Sequence, residues 1–190
     1  MNLENIHHAV VFATKAHEGQ VRKTEKIPYI THPYTAALYA IPYLEAESFT
    51  EKEKTDIVSA ILLHDVWEDT DISIETIEKE FGNDVTQLVK IASESDKTMP
   101  WLERKKETIK KLETATLGEK YVICADKVHN LTSLKESVDR SDEDIWIHFK
   151  SDKDSQQWYY TSIYEGLIHG GKSDHPFFAK LKKLIDEVFA

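Results

Sequence analysis

The chain has 190 residues, a single cysteine and a formal charge of −10, long enough to bury a sizeable core and near the upper end of one compact domain. That acidity excludes nucleic-acid binding by broad phosphate neutralisation. There is also no apolar run of membrane-spanning length, and no basic-flanked apolar leader at Met1–His8. The expectation is one domain over residues 1–190, in the cytoplasm, without a membrane or nucleic-acid partner. Cys124 has no second cysteine for a disulfide or a thiolate zinc site and reads as a small core residue.

Apolar residues recur at spacings of three and four along almost the whole chain, with few glycines, few prolines and little β-branched alternation, so the expected fold class is all-α, a helical bundle. The periodicity predicts helices over 3–17, 33–44, 51–69, 73–81, 84–94, 100–115, 118–137, 142–150 and 154–169. Residues 18–31 fit no helical stripe and form a basic loop with Arg22, Lys23 and Lys26. Ser73 and Asn83 are expected N-caps, and Gly82 is a stop between two short helices. A last helix starts near Asp174 and Pro176 and buries the stripe Phe177, Leu181, Leu184 and Val188, with Phe178, Ile185 and Phe189 beside it. His7, His8, His148, His169 and His175 are expected to be structural, as are Trp101, Trp146, Trp158, Tyr159 and Tyr160. The run Arg104-Lys105-Lys106 reads as a solvated helix face.

Three clusters carry chemistry. His64-Asp65-Val66-Trp67-Glu68-Asp69 follows the apolar run from Ile57 to Leu63, and on a continuous helix positions 64, 65, 68 and 69 share an arc of roughly 140°. Acids so close repel unless a cation or proton intervenes; the bland alternative is a solvated acidic helix end. Ala125-Asp126-Lys127-Val128-His129-Asn130 again puts a carboxylate after an apolar run, where Asp126 either meets a metal or pairs with Lys127. The third is His32-Pro33. Two imidazoles and two carboxylates suit a mid-series divalent cation, with positions left for water and substrate.

In order, Ala16-His17-x-Gly19-Gln20-x-Arg22-Lys23, Pro28-Tyr29-Ile30-x-His32-Pro33, Leu62-Leu63-His64-Asp65-x-x-Glu68-Asp69-Thr70, Phe81-Gly82 and Ala125-Asp126-Lys127-x-His129-Asn130-Leu131 resemble the HD-type hydrolase domain of the RelA/SpoT enzymes. In size the chain is similar to the free-standing small alarmone hydrolases. The resemblance covers about residues 9–135, and the C-terminal helices are expected to complete the bundle. It implies one Mn²⁺ held by His32, His64, Asp65 and Asp126, water activation by Glu68 and Asp69, and nucleotide contacts from Arg22, Lys23 and Asn130. His129 is expected behind the ligands, orienting them. The implied reaction is hydrolysis of the 3′-pyrophosphate of guanosine 3′,5′-bis(diphosphate), to GDP and pyrophosphate. An HD phosphohydrolase of another nucleotide or phosphoester, or a nucleotide sensor without turnover, fits the same clusters. The chain departs from the family pattern at Trp67, Lys127 and residues 93–101; the four ligand positions stay intact, while Trp67 and residues 93–101 can reshape the pocket and so bear on the substrate. Oligomeric state has no signature here.

Overall fold

A computed structural model describes residues 1–22, 26–94, 98–140, 146, 151–171 and 175–190, with side chains omitted at 139 and 140. The elements are α1 (Leu3–Ala16), α2 (Thr31–Glu45), α3 (Glu51–Leu63), α4 (Val66–Asp69), α5 (Ile74–Ala92), α6 (Trp101–Leu112), α7 (Leu117–Arg140), α8 (Lys153–Ile168) and α9 (Pro176–Phe189). The all-α expectation holds, because among the described residues the only extended pairing is an isolated antiparallel bridge between Val21 and Pro28.

Two helices organise the rest. In α3, Ile57, Val58 and the run Ala60–Leu63 are buried, and in α7 the run Tyr121–Ala125 is followed by Val128, Leu131 and Leu134. Helices apolar around most of their circumference need neighbours on several sides. Accordingly α7 packs on α2, α3, α5 and α9, while α3 packs on α1, α2, α5 and α7. Thr50 caps α3 with a reciprocal box, its side chain accepting from the Glu53 amide while the Glu53 carboxylate accepts from the Thr50 amide. The last helix buries Phe177, Leu181 and Val188 of the expected stripe, but Leu184 is only half-buried and Ile185, expected beside the stripe, is buried with Phe178 and Phe189. Cys124 is fully buried.

Several boundaries differ from the sequence expectation. Ser73 does cap its helix by accepting from the Thr76 amide, and Gly82, at φ 81° and ψ 171°, breaks the helical backbone within α5. The Asn83 side chain accepts from the Gln87 side chain instead of capping a backbone amide. The helix expected to run unbroken from 51 to 69 stops at Leu63 and resumes at Val66. The buried His64 ring donates from Nδ1 to the Ile61 carbonyl at 2.7 Å, the acceptor that a continuing helix would offer to the Asp65 amide. The helix predicted at 142–150 falls outside the described residues except for Trp146, as does Asp174.

Helices α6 and α8 meet at a point of contact that tolerates no side chain. A Cβ added at Gly166 would lie 2.8 Å from Leu112 Cβ and 2.9 Å from its Cδ1. Gly166→Ala gains about 1 kcal/mol of helix propensity, but overpacking costs about 1–3 kcal/mol, so a net loss of stability in urea denaturation is expected. Gly118→Ala, whose new Cβ comes no nearer than 3.3 Å to any neighbour, the flexible end of Ile57, should be near neutral or stabilising in the same measurement.

Candidate metal centre and reaction site

Three buried elements deliver the donor atoms. His32 sits in the first turn of α2 with Pro33 behind it, a position where a missing amide hydrogen costs the helix nothing. His64 follows the last residue of α3, and Asp126 lies midway along α7. His32, His64 and Asp126 each place one ligand atom within 4.8 Å of the others, the one such group among the described residues. His32 Nε2 is 3.2 Å from His64 Nε2 and 3.2 Å from Asp126 Oδ1. Asp65 Oδ2 lies beside them, 3.1 Å from His64 Nε2 and 3.5 Å from His32 Nε2.

Both rings are held from behind. The carbonyl of Ile61 can only accept, so His64 holds a proton at Nδ1 and turns Nε2 inward toward the carboxylates. His32 Nδ1 meets His129 Nδ1 at 2.6 Å. Burial, with His32 and Arg22 nearby, pushes the His129 pKa down to about 3, so His129 is a neutral partner. The tautomer with His32 Nδ1 donating to His129 presents a lone pair at His32 Nε2. Two ring nitrogens and two carboxylates then converge in a buried place, which a cation, or in its place a proton on His64 Nε2, makes tolerable.

Electrostatics agree. Burial alone would lower the His64 pKa, but Asp65 and Asp126 outweigh it and raise it well above the ordinary value. Asp65 and Asp126 are held below the usual carboxylate range against their burial, the first by His64 and the second by Lys127 and both imidazoles. The donor set therefore fits one divalent cation of the kind bound by mixed imidazole and carboxylate ligands. The Lys127 ammonium pairs with Asp126 Oδ2 at 2.5 Å, while Oδ1 of the same carboxylate faces His32 Nε2 at 3.2 Å.

The acidic pair stands on α4. Glu68 Oε2 accepts from the Glu94 amide at 3.0 Å, and the Glu68 and Asp69 side chains open on a polar recess shared with Glu18, Gln20 and Asp71. Tyr29 Oη donates to Asp65 Oδ2 at 2.6 Å and lies 3.4 Å from Asp69 Oδ2. Burial, and then Asp65, pushes the Tyr29 pKa upward, so the hydroxyl stays a donor. Arg22 Nη2 approaches Asn130 Oδ1 at 3.4 Å, and Asn130 Nδ2 donates to Asp126 Oδ1. The structure thus gathers His32, His64, Asp65, Asp126, Glu68, Asp69, Arg22 and Asn130 into one region. Lys23 lies outside the described residues. A larger recess, bounded by α1, α3 and the Gly82 turn, lies away from these groups and encloses the ion-paired Lys52.

The basic run on α6 is not the solvated face its sequence suggests. Arg104 and Lys105 side chains are only 15% and 17% exposed, and both bind the Glu94 carboxylate. Lys106 does face solvent. Glu94 precedes the run by ten residues and by a polar connection, so no local periodicity reveals the pairing. The Lys105 ammonium also lies 4.7 Å from the centre of the Tyr159 ring, with Lys127 5.5 Å from the same ring. Trp67 is half-buried and packs on the core. Tyr29, Gln20, Ser93 and Glu94 all touch the site, and sequence reading assigned none of them a role; Gln20 and Tyr29 stood inside recognised motifs, which was the available signal.

Comparison with known proteins adds identity to this geometry. The HD domain family model matches residues 9–152. Guanosine-3′,5′-bis(diphosphate) 3′-pyrophosphohydrolase MESH1 of Xenopus tropicalis is 35% identical over 177 residues, spanning 89% of this chain and 90% of that protein. The Homo sapiens protein of the same name is 40% identical over 129 residues, 66% of this chain and 67% of its own. Among solved structures, lmo0812 of Listeria monocytogenes EGD-e superposes with a TM-score of 0.72 at 35% identity, covering 86% of this chain and 98% of that one. A structure described as a metazoan ortholog of SpoT that hydrolyzes ppGpp gives 0.75 at 27% identity, with 96% and 94% covered. The matched segment runs through His32, His64, Asp65 and Asp126 and includes both buried helices that carry the site, and the chain belongs to the HD domain family.

Proposed function

We propose that the chain is a metal-dependent phosphohydrolase that removes the 3′-pyrophosphate of guanosine 3′,5′-bis(diphosphate), with Mn²⁺ as its metal and 1–190 as one HD-type unit. The substrate reading rests on one observation: the likeness to proteins named for that activity extends over nine-tenths of both chains. The site chemistry agrees with it. His32, His64, Asp65 and Asp126 are the residues that would hold the cation. When bound, the metal supplies Lewis-acid polarisation of a phosphate oxygen and lowers the pKa of a bound water.

The chain's own residues account for the other requirements. Water adds to the phosphorus that carries the ribose 3′ oxygen, the bond from phosphorus to that oxygen breaks, and a proton from the water ends on the 3′ oxygen, giving GDP and pyrophosphate. Glu68, whose carboxylate accepts from the Glu94 amide, and Asp69 would orient the water and take its proton. Arg22 and Asn130, linked to each other and to Asp126, present a guanidinium and an amide at the edge of the metal group. A guanidinium can stack on a base or bridge two phosphate oxygens. With a net charge of −10, recognition of a highly charged nucleotide rests on such local groups.

Three outcomes test the assignment. His64→Ala and Asp126→Ala should each lose bound Mn²⁺ in elemental analysis and lose pyrophosphate release together; full occupancy in either variant refutes the ligand set. Glu68→Gln should retain metal and substrate affinity while turnover falls about 10²-fold or more, and loss of its metal would make Glu68 a ligand instead. Arg22→Ala should raise KM for the alarmone strongly at unchanged metal content, and wild-type constants would place the nucleotide elsewhere. Product analysis with a nucleotide panel distinguishes the alarmone from other phosphoesters. Binding of the alarmone by the Mn²⁺-loaded protein without pyrophosphate release would favour a sensor.

A further inference from the structure

The segment from His17 to Tyr29 contains two of the motifs that mark the family, yet of its residues only Arg22 and Lys23 are assigned a function above. Its described part is held in a defined shape. Gly19, at φ 76°, makes the turn after α1, a backbone region that suits glycine. The Gln20 amide donates to the His17 carbonyl at 3.0 Å, the Arg22 amide to the Ile27 carbonyl at 2.9 Å, and the Tyr29 amide to the Gln20 carbonyl at 2.9 Å. Gln20 and Tyr29 are thereby locked side by side.

Both then reach the turn that carries Asp65 and Asp69. Gln20 Nε2 donates to the Asp69 carbonyl at 2.7 Å. Its other end, Oε1, accepts from His17 Nδ1 at 2.9 Å. His17 is 3% exposed, its Nε2 is buried with no hydrogen-bond partner, and its ring lies 4.9 Å from the Tyr29 ring. A buried imidazole with one nitrogen unsatisfied is retained at a cost, and here its engaged edge orients Gln20 while its face supports Tyr29. Tyr29 Oη closes the frame on Asp65 Oδ2 at 2.6 Å, within 3.4 Å of Asp69 Oδ2, and the Asp69 amide returns to the Asp65 carbonyl at 2.8 Å.

We propose that Tyr29 is a positioning residue, held by His17 and Gln20, whose hydroxyl sets the Asp65 carboxylate for metal binding and keeps Asp69 in register with it. Its role in turnover rests on the substrate proposed above, and its role in metal binding rests only on the ligand set proposed there. α4 has only four residues, too short to hold its own direction, so the relative placement of the metal group and the reaction acids depends on an outside support. Tyr29 and Gln20 provide two bonds to that turn from a separate part of the chain.

The test uses the full chain stripped of metal and titrated with Mn²⁺ by calorimetry, as wild type, Tyr29→Phe and Gln20→Met. Phenylalanine keeps the ring on His17 and removes only the hydroxyl. Affinity should fall about tenfold in Tyr29→Phe, the lower end for losing a hydrogen bond behind a metal ligand, at an unchanged thermal midpoint by circular dichroism. With the alarmone at saturating Mn²⁺, kcat should drop while KM holds. Gln20→Met should shift kcat in the same direction. Mn²⁺ affinity equal to or tighter than wild type in Tyr29→Phe, or a loss that merely follows a lowered thermal midpoint, overturns the proposal. A wild-type chain inert toward the alarmone would remove the proposed substrate, and the calorimetric comparison would still decide on Tyr29.

Discussion

The structure depends on keeping two ionised carboxylates and two imidazole edges together in a place that water barely reaches. Asp65 and Asp126 stay charged against burial because His64, Lys127 and His32 stand beside them. Removing one member of such a set leaves an uncompensated charge, which is costlier than removing a surface pair. The need to bring these groups inside explains the two helices buried on several sides. His64 at the end of α3 and Asp126 midway along α7 can meet only if both helices pass through the core, with α2 adding its first turn from the side.

The positive groups near the site are used locally. Lys127 pairs with Asp126, Arg104 and Lys105 pair with Glu94, and Arg22 leans on Asn130. Lys111, whose pKa is lowered by burial, donates to the Ser93 carbonyl, and Ser93 Oγ donates to the His64 carbonyl. A chain with ten more acidic than basic side chains thus concentrates several of its cations around one wall. Their first partners there are this protein's own carboxylates and carbonyls, so a charged ligand arriving at this wall meets groups already fixed in direction, a condition for strong electrostatic effects at little reorganisation.

Much of this was legible in the sequence, for identifiable reasons. The stripe of α9, the Ser73 cap and the Gly82 break follow from side-chain period and backbone preference, which are local. His64, Asp65 and Asp126 stood out because a histidine or aspartate directly after an apolar run is unusual, whereas His32 follows no such run and joined them through its His-Pro step and the family resemblance. The break after Leu63 was not visible, since Ile57–Leu63 and the acids after it keep a helical spacing; the interruption comes from the His64 ring taking the Ile61 carbonyl and from Tyr29 pulling on Asp65. The α6 lysine and arginine were misread because their partner, Glu94, precedes them across a connection with no period at all. The frame of His17, Gln20 and Tyr29 sits in a segment without helical pattern, where period-based reading has nothing to measure.

The interruption between α3 and α4 separates two parts of the site. His64 is anchored to the long buried helix, while Glu68 and Asp69 ride on a separate short one joined to it through two residues. A substitution on the short helix, such as the bulky Trp67, can re-aim the acids while the imidazole keeps its place. Changes confined to α4 and the supports around it therefore reshape one wall of the site while the helix that holds the imidazole stays as it is.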